Sequence, residues 1–195
     1  MIRYSFTVSF TNGGDTGMSD KHYKYGATMG RYCPLQMGHE IVIRTMQEMC
    51  ERSLIFVGSA NAPWSLPLFF DYYERTSFLR AIVPGAKLVP LPDFPGDNRS
   101  WLRAVKDLLL AADFPADETV FFGGSDEDVL VLSEEGGMQT HIVNRYDGTT
   151  PIISASQVRD ALIHGRSLEG MINPVIREAV QKIWHDKWPQ FMQKR

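Results

Sequence analysis

Three side chains stand where a polyanionic ligand would want them. Arg31 and His39 bracket the loop Gly30-Arg31-Tyr32-Cys33-Pro34-Leu35-Gln36-Met37-Gly38-His39, and Arg159 closes Ile153-Ser154-Ala155-Ser156-Gln157-Val158-Arg159. A glycine loop that leads from a strand into a helix points backbone N–H groups and the positive end of a helix dipole at one spot. An arginine and a histidine beside it add donors suited to phosphate oxygens. Two hydroxyls and an arginine at a late helix start would supply a second such cradle. Neither stretch is a Walker loop, since no Gly-Lys-Ser/Thr closes it, and neither is the dinucleotide G-x-G-x-x-G. Taken alone, the first stretch reads equally well as an ordinary β–α turn with a structural glycine.

Elements must exist to hold these loops, and hydrophobic periodicity predicts them. Residues 23–29 read as a strand and 38–52 as a helix with Val42, Met46 and Met49 inward. Residues 54–58 form a continuous apolar strand, too hydrophobic for a half-exposed edge. A helix follows over 69–82, with Phe70, Tyr73, Phe78 and Ile82 broadly on one side. Residues 87–91 are a strand broken by Pro90 and Pro92, which places it at an edge or an end. Residues 99–111 are a helix carrying Trp101, Val105 and Leu108. A buried strand spans 119–122, a short helix capped by Ser125 spans 125–135, and a strand spans 138–143. Ser154 or Ser156 caps the next helix, which stops at Gly165, and a last helix over 174–187 turns Val175, Ala179, Ile183 and Trp184 inward. Strands alternating with helices predict an α/β fold, a doubly wound parallel sheet with C-terminal helices. Ligands then sit at the carboxyl ends of the strands, on the loops at 30–39, 58–67, 91–98 and 123–126.

Composition bounds the function classes. The 195 residues suffice for one domain with a substantial core, and a formal net charge of −3 gives no support to nucleic-acid binding. Two cysteines, Cys33 and Cys50, read as free thiols in a reducing compartment, and no apolar run reaches membrane-span length. A cytoplasmic protein is expected. Residues 1–17 look peripheral: an alternating stretch at 4–10 is followed by Asn12-Gly13-Gly14-Asp15-Thr16-Gly17. Met18 reads as an alternative start, which leaves residues 18–195 as the domain.

The remaining loops carry groups suited to a nucleotide. Gly58-Ser59-Ala60-Asn61 allows close backbone approach. Asp93, Asn98 and Trp101 offer polar groups and an aromatic plane for a flat heterocycle, and Gly123-Gly124-Ser125 follows the fourth strand. In combination these stretches resemble the nucleotidylyltransferase superfamily, whose signatures are H-x-G-H after the first strand and I-S-x-T-x-x-R at a late helix start. Within it, the chain is most similar to the archaeal type of nicotinamide-nucleotide adenylyltransferase. That type runs G-R-F-x-P-x-H-x-G-H, then G-S-A-Q, a G-E-R helix, P-L-P-D with a downstream Trp, T-G-N, and I-S-A-T-x-I-R. The chain has Gly30 to His39, Gly58 to Asn61, Tyr73-Glu74-Arg75, Pro90-Leu91-Pro92-Asp93 with Trp101, Gly123-Gly124-Ser125, and Ile153 to Arg159. The order holds from about residue 23 to 184.

The resemblance implies adenylyl transfer from ATP to NMN, or to nicotinic acid mononucleotide, with Mg²⁺ on the triphosphate and no protein nucleophile. It implies catalytic roles for His39, Arg159 and Arg31, and ATP contacts from Gly30, Arg31, Gln36, Gly38, His39, Gly123, Ser154, Ser156 and Arg159. It places the mononucleotide against Ser59, Asn61, Arg75, Asp93 and Trp101. Three departures stand out. Gln36 occupies the place of the first signature histidine, Ser156 that of a threonine, and the Gly-Gly-Ser loop lacks the family's asparagine. Gln36 opens two alternatives: transfer to another phosphorylated acceptor, or a nucleotide-binding, regulatory protein with weakened catalysis. Simpler roles are also open. Trp101 fits a core position, Arg75 a surface charge, and Arg159 a solvated helix residue. Cys33 shows no base partner for a nucleophilic role, His22, His141, His164 and His185 show no metal spacing, and Asp126-Glu127-Asp128 suits a helix's first turn. Apolar residues near the termini point to homo-oligomer packing.

Overall fold

The structure, a computed structural model, describes residues 22–144 and 153–194. The peripheral segment expected at 1–17, with its strand-like 4–10 and the start at Met18, lies outside the described residues.

Five strands, β1 (Tyr23–Gly30), β2 (Cys50–Val57), β3 (Lys87–Pro90), β4 (Thr119–Gly123) and β5 (Gln139–Ile142), form one sheet in the order β3-β2-β1-β4-β5. Every pairing is parallel. Helices α1 (Met37–Met49), α2 (Tyr72–Ile82), α3 (Asn98–Ala111), α4 (Asp126–Glu134), α5 (Ala155–Ile163) and α6 (Pro174–Gln193) cover both faces. This is the doubly wound α/β architecture expected from the sequence. Period-two alternation divides the core between the faces. In β2, Ile55 and Val57 join α1, α2, α5 and α6, while Leu54 and Phe56 join α3 and α4. In β4, Val120 and Phe122 face the first group and Phe121 the second. Burying such a side chain contributes roughly 1.5–3 kcal/mol, which is why these strands carry no charge at their centres. The chain runs outward from β1 through β2 to β3, then returns to β4 on the other side of β1. The strand order therefore reverses between β1 and β4, and a crevice opens at their carboxyl ends.

Four boundaries differ from the periodicity. Strand β2 begins at Cys50, not at 54, because Tyr23, Tyr25 and Gly26 of β1 pair with Cys50, Arg52 and Ser53. The polar Glu51 and Arg52 are exposed at the sheet's lower rim. Helix α2 begins at Tyr72 behind an Asp71–Glu74 capping box. Phe69 and Phe70 thus lie in the preceding loop, fully buried, and Tyr73 faces solvent. At α4, Ser125 makes no side-chain cap bond, and Asp128 instead reaches back to accept from the Gly124 N–H at 3.0 Å. Helix α6 extends to Gln193 with Pro189 inside it, and its inward residues are Ile176, Val180, Trp184 and Phe191. Val175 and Ala179 are exposed, one position out of phase with the expectation. Phe69, Trp184, Trp188 and Phe191 stack together, so packing against the 64–70 loop sets this helix's rotation.

Candidate active site

A cavity of about 650 Å³ occupies the crevice at the β1–β4 switch. Its wall includes Gly30, Arg31, Gly38, His39, Gly123, Ser154, Ser156 and Arg159, and on its other side Ser59, Asp93 and Trp101. Residues separated by up to 129 positions thus meet at one point. Gly30 lies tight against the Tyr32 ring, where a Cβ would sit 3.0 Å from it. Gly123 lies under α4, where a Cβ would meet Val129 Cγ1 at 2.7 Å.

The cationic wall is built from the loop after β1 and the start of α5. Tyr32 takes a left-handed backbone (φ +49°), turning Arg31 outward into solvent while its own ring is buried. His39 lies in the first turn of α1 with the Tyr32 ring edge-on at 5.0 Å. Ser154 caps α5 in a reciprocal box with Gln157. One turn on, Arg159 donates from Nη1 to the Cys33 carbonyl at 2.8 Å and from Nη2 to Ser156 Oγ at 2.9 Å. Burial pulls the Arg159 pKa down, and the like charge of Arg31 pulls the same way. Two guanidiniums and two helix N-termini therefore face one space, an arrangement that disfavours itself until an anion enters. Cys33 also lines the cavity, but burial pushes its thiol up and its sulfur engages the Phe70 backbone. It is a packed thiol, not a thiolate nucleophile.

Three residues expected at the ligand do not line the cavity. Arg75 is 2% exposed and donates to the carbonyls of Arg31 (2.7 Å), Gly58 (2.6 Å), Ser59 (3.3 Å) and Asp71 (3.3 Å). With its donors on backbone oxygens, it fastens the loops after β1 and β2 instead of reaching a phosphate. Asn61 exchanges a pair of hydrogen bonds with the Asp93 backbone (2.8 and 3.2 Å), clamping the loop after β2 to the loop after β3. Gln36 is buried and turned into α1, where its side chain accepts from the Gly38 backbone. In each case an unpaired backbone group needs a partner, and the nearest polar side chain supplies it. Conversely, Thr28, Met29 and Asp128, which lie outside the loops expected to carry the site, line the cavity as well. Asp128 carried a signal, an acid in the turn after β4, but the same acid suits any helix start.

Comparison with known proteins places this geometry. No family model matches the chain. It is 27% identical over 168 residues to the nicotinamide-nucleotide adenylyltransferase of Pyrococcus furiosus, covering 82% of this chain and 84% of that protein. It is 29% identical over 164 residues to the enzyme of the same name from Pyrococcus abyssi, covering 81% and 83%. Among solved structures, it superposes on a bifunctional NMN adenylyltransferase/ADP-ribose pyrophosphatase from Francisella tularensis, in complex with AMP and a manganese ion. The TM-score is 0.64 at 16% identity, over 84% of this chain and 51% of that one. The fold is that of a nucleotidylyltransferase. The chain spans about half the length of the bifunctional Francisella protein, and most of the length of its archaeal relatives. The cavity here lies where the β1–β4 switch, the α1 start and the α5 start meet.

Proposed function

We propose that this chain transfers the adenylyl group of ATP to nicotinamide mononucleotide, forming NAD and pyrophosphate. The observation that carries the reading is the convergence of Arg31, His39, Arg159 and the N-termini of α1 and α5 on a cavity whose far wall holds Trp101, Asp93 and Ser59. The names of the archaeal relatives agree with it. The cationic wall takes the triphosphate, and the Trp101 side takes the mononucleotide, its ring against the indole.

The reaction needs no protein nucleophile. An oxygen of the mononucleotide's 5′-phosphate attacks the α-phosphorus of ATP, a new P–O bond forms, and the bond to the bridging α–β oxygen breaks. Pyrophosphate leaves with the electron pair. His39 donates a hydrogen bond to the α-phosphoryl oxygens as charge builds there. Arg159, already oriented by Cys33 and Ser156, holds the departing β- and γ-phosphates, and Arg31 neutralises them from the solvent side. Among the described residues no three His, Cys, Asp or Glu side chains gather as a metal cluster. Mg²⁺ would enter with ATP beside Arg31, His39 and Arg159 and would supply charge neutralisation on the triphosphate. A cytoplasmic setting suits these substrates and the two free thiols, and no described helix is long and apolar enough to cross a membrane. The exposed Val175 and Met192 of α6 offer apolar surface for self-association.

Gln36 favours one further reading. Its side chain is committed to the α1 cap, so one donor supplied by histidine in the family signature is absent from the wall. Losing a preorganised donor slows such reactions roughly a hundred- to a thousand-fold. The deciding experiment is NAD formation from NMN, ATP and Mg²⁺ by the native chain and His39→Ala. Turnover lost in His39→Ala establishes the transfer. ATP binding without turnover on NMN, nicotinic acid mononucleotide or other phosphorylated acceptors would establish a nucleotide binder instead.

A further inference from the structure

The first turn of α1 carries a detail that the cavity wall alone does not. Gln36 and His39 form a reciprocal capping box: the Gln36 side chain accepts from the backbone N–H of His39, and the His39 side chain accepts from the backbone N–H of Gln36. The second bond runs from Gln36 N to His39 Nδ1 at 3.3 Å. A nitrogen that accepts a hydrogen bond must offer a lone pair, and a neutral imidazole has only one such nitrogen. With Nδ1 accepting, the ring proton sits on Nε2.

We infer that Gln36 holds His39 as its Nε2–H tautomer, so that His39 presents a neutral N–H donor to the cavity and Gln36 is the positioning residue for it. The geometry stands by itself; its consequence for transfer rests on the nucleotidyl-transfer reading above. Two contacts on the ring, and one bond behind them, set its orientation. Gln36, 4% exposed, accepts from the Gly38 N–H and so closes the open end of the helix over its own backbone. That closure aims the Gln36 N–H at Nδ1. The buried Tyr32 ring meets the imidazole edge-on and blocks rotation toward the loop. An imidazolium would set an Nδ1 proton against the Gln36 N–H, so the cap selects the neutral ring. The carbonyl oxygen of glutamine accepts whatever the protonation state of the site. The residue that departs from the family signature is thus the one that orients the residue that keeps to it.

The test begins with the full chain, labelled with ¹⁵N-histidine and free of nucleotide. Long-range ¹H–¹⁵N correlation reads the tautomer, with His39 assigned by its disappearance in His39→Gln. A pyridine-like Nδ1 and a pyrrole-like Nε2 are expected; a proton on Nδ1 overturns the inference. In Gln36→Ala, the two ¹⁵N shifts should move toward their average. kcat should fall about 10- to 100-fold while KM for ATP stays within about 2-fold, as for a misaimed group. Gln36→Ser, which restores a short N-cap acceptor, should recover the tautomer and most of kcat. If Gln36→Ala leaves both the shifts and kcat unchanged, Gln36 does not position His39. The spectra need no turnover, so a chain inactive on NMN would refute the transfer reading without touching this one.

Discussion

Two arginines reach for the same loop and meet opposite fates. Arg159, one turn into α5, touches the 31–35 loop through a single carbonyl, that of Cys33, and shares its other arm with Ser156. It still lines the cavity. Arg75, one turn into α2, is driven under the same loop and donates to four carbonyls, and its own side chain does not line the cavity. Each approaches the crevice from a helix N-terminus behind a capping box. The difference lies in where each guanidinium ends: that of Arg159 lines the ligand space, and that of Arg75 is buried as a rivet between loops. A guanidinium serves either purpose, because its five donors satisfy backbone oxygens as well as phosphate oxygens.

Breaking the comparison at its functional end should give the largest effect. Arg159→Ala is expected to lower kcat/KM roughly a hundred- to a thousand-fold, about 2.7–4 kcal/mol of transition-state stabilisation. Its melting temperature should change little, and Arg159→Lys should recover part of the loss because a point charge still attracts pyrophosphate. Steady-state kinetics beside a thermal melt separates the two quantities. The opposite pattern is expected of Arg75→Met. Stripping four buried or part-buried carbonyls of their donor should cost about 3 kcal/mol of stability, with Tm lower by roughly 6–12 °C. Here Lys should rescue poorly, since an ammonium cannot span the carbonyls of Arg31, Gly58 and Ser59. If Arg75→Met melts normally but fails to bind the mononucleotide, the rivet assignment is wrong.

Asn61→Ala sharpens the contrast at a milder level. Removing its clamp on the Asp93 backbone should cost about 1 kcal/mol, and loosening the loop should raise KM for the acceptor more than KM for ATP. The smallest effect concerns the loop's own packing in alkali. Burial raises both the Cys33 thiol and the Tyr32 phenol above their ordinary values. The unfolded chain therefore releases these protons first, so it binds fewer than the folded chain as pH rises, and stability falls with pH. Urea melts should show a constant midpoint up to about pH 8 and a decline from about pH 9. Cys33→Ala should flatten the early part of that decline.

Much of the fold was legible in the chain. The apolar runs of β2 and β4 and the amphipathic stripe of α3 have periods that only one class of element satisfies. The glycines that end β1 and β4 mark the turns beyond them. The errors fell where local pattern is ambiguous. Phe69 and Phe70 look like the first turn of α2, yet both are buried by a loop that packs on α6. Cys50-Glu51-Arg52 continues the pattern of α1 but pairs with β1, because a parallel ladder satisfies its backbone and an exposed rim suits its charges. At the site, His39, Arg31, Arg159, Ser59, Asp93 and Trp101 were expected and line the cavity, whereas Gln36, Asn61 and Arg75 were expected and do not.

The chain by itself determined what each loop has to offer: donors after β1, hydroxyls and a cation at α5, an indole after β3. Those are matters of residue type and spacing along one strand–loop–helix unit. Whether a donor faces a ligand or a backbone carbonyl was decided only by tertiary structure. A buried carbonyl without a partner is costly, and it takes whichever donor the packing brings within 3 Å. Long-range docking therefore chose between Arg75 and Arg159, and it turned Gln36 from a ligand contact into the cap of α1.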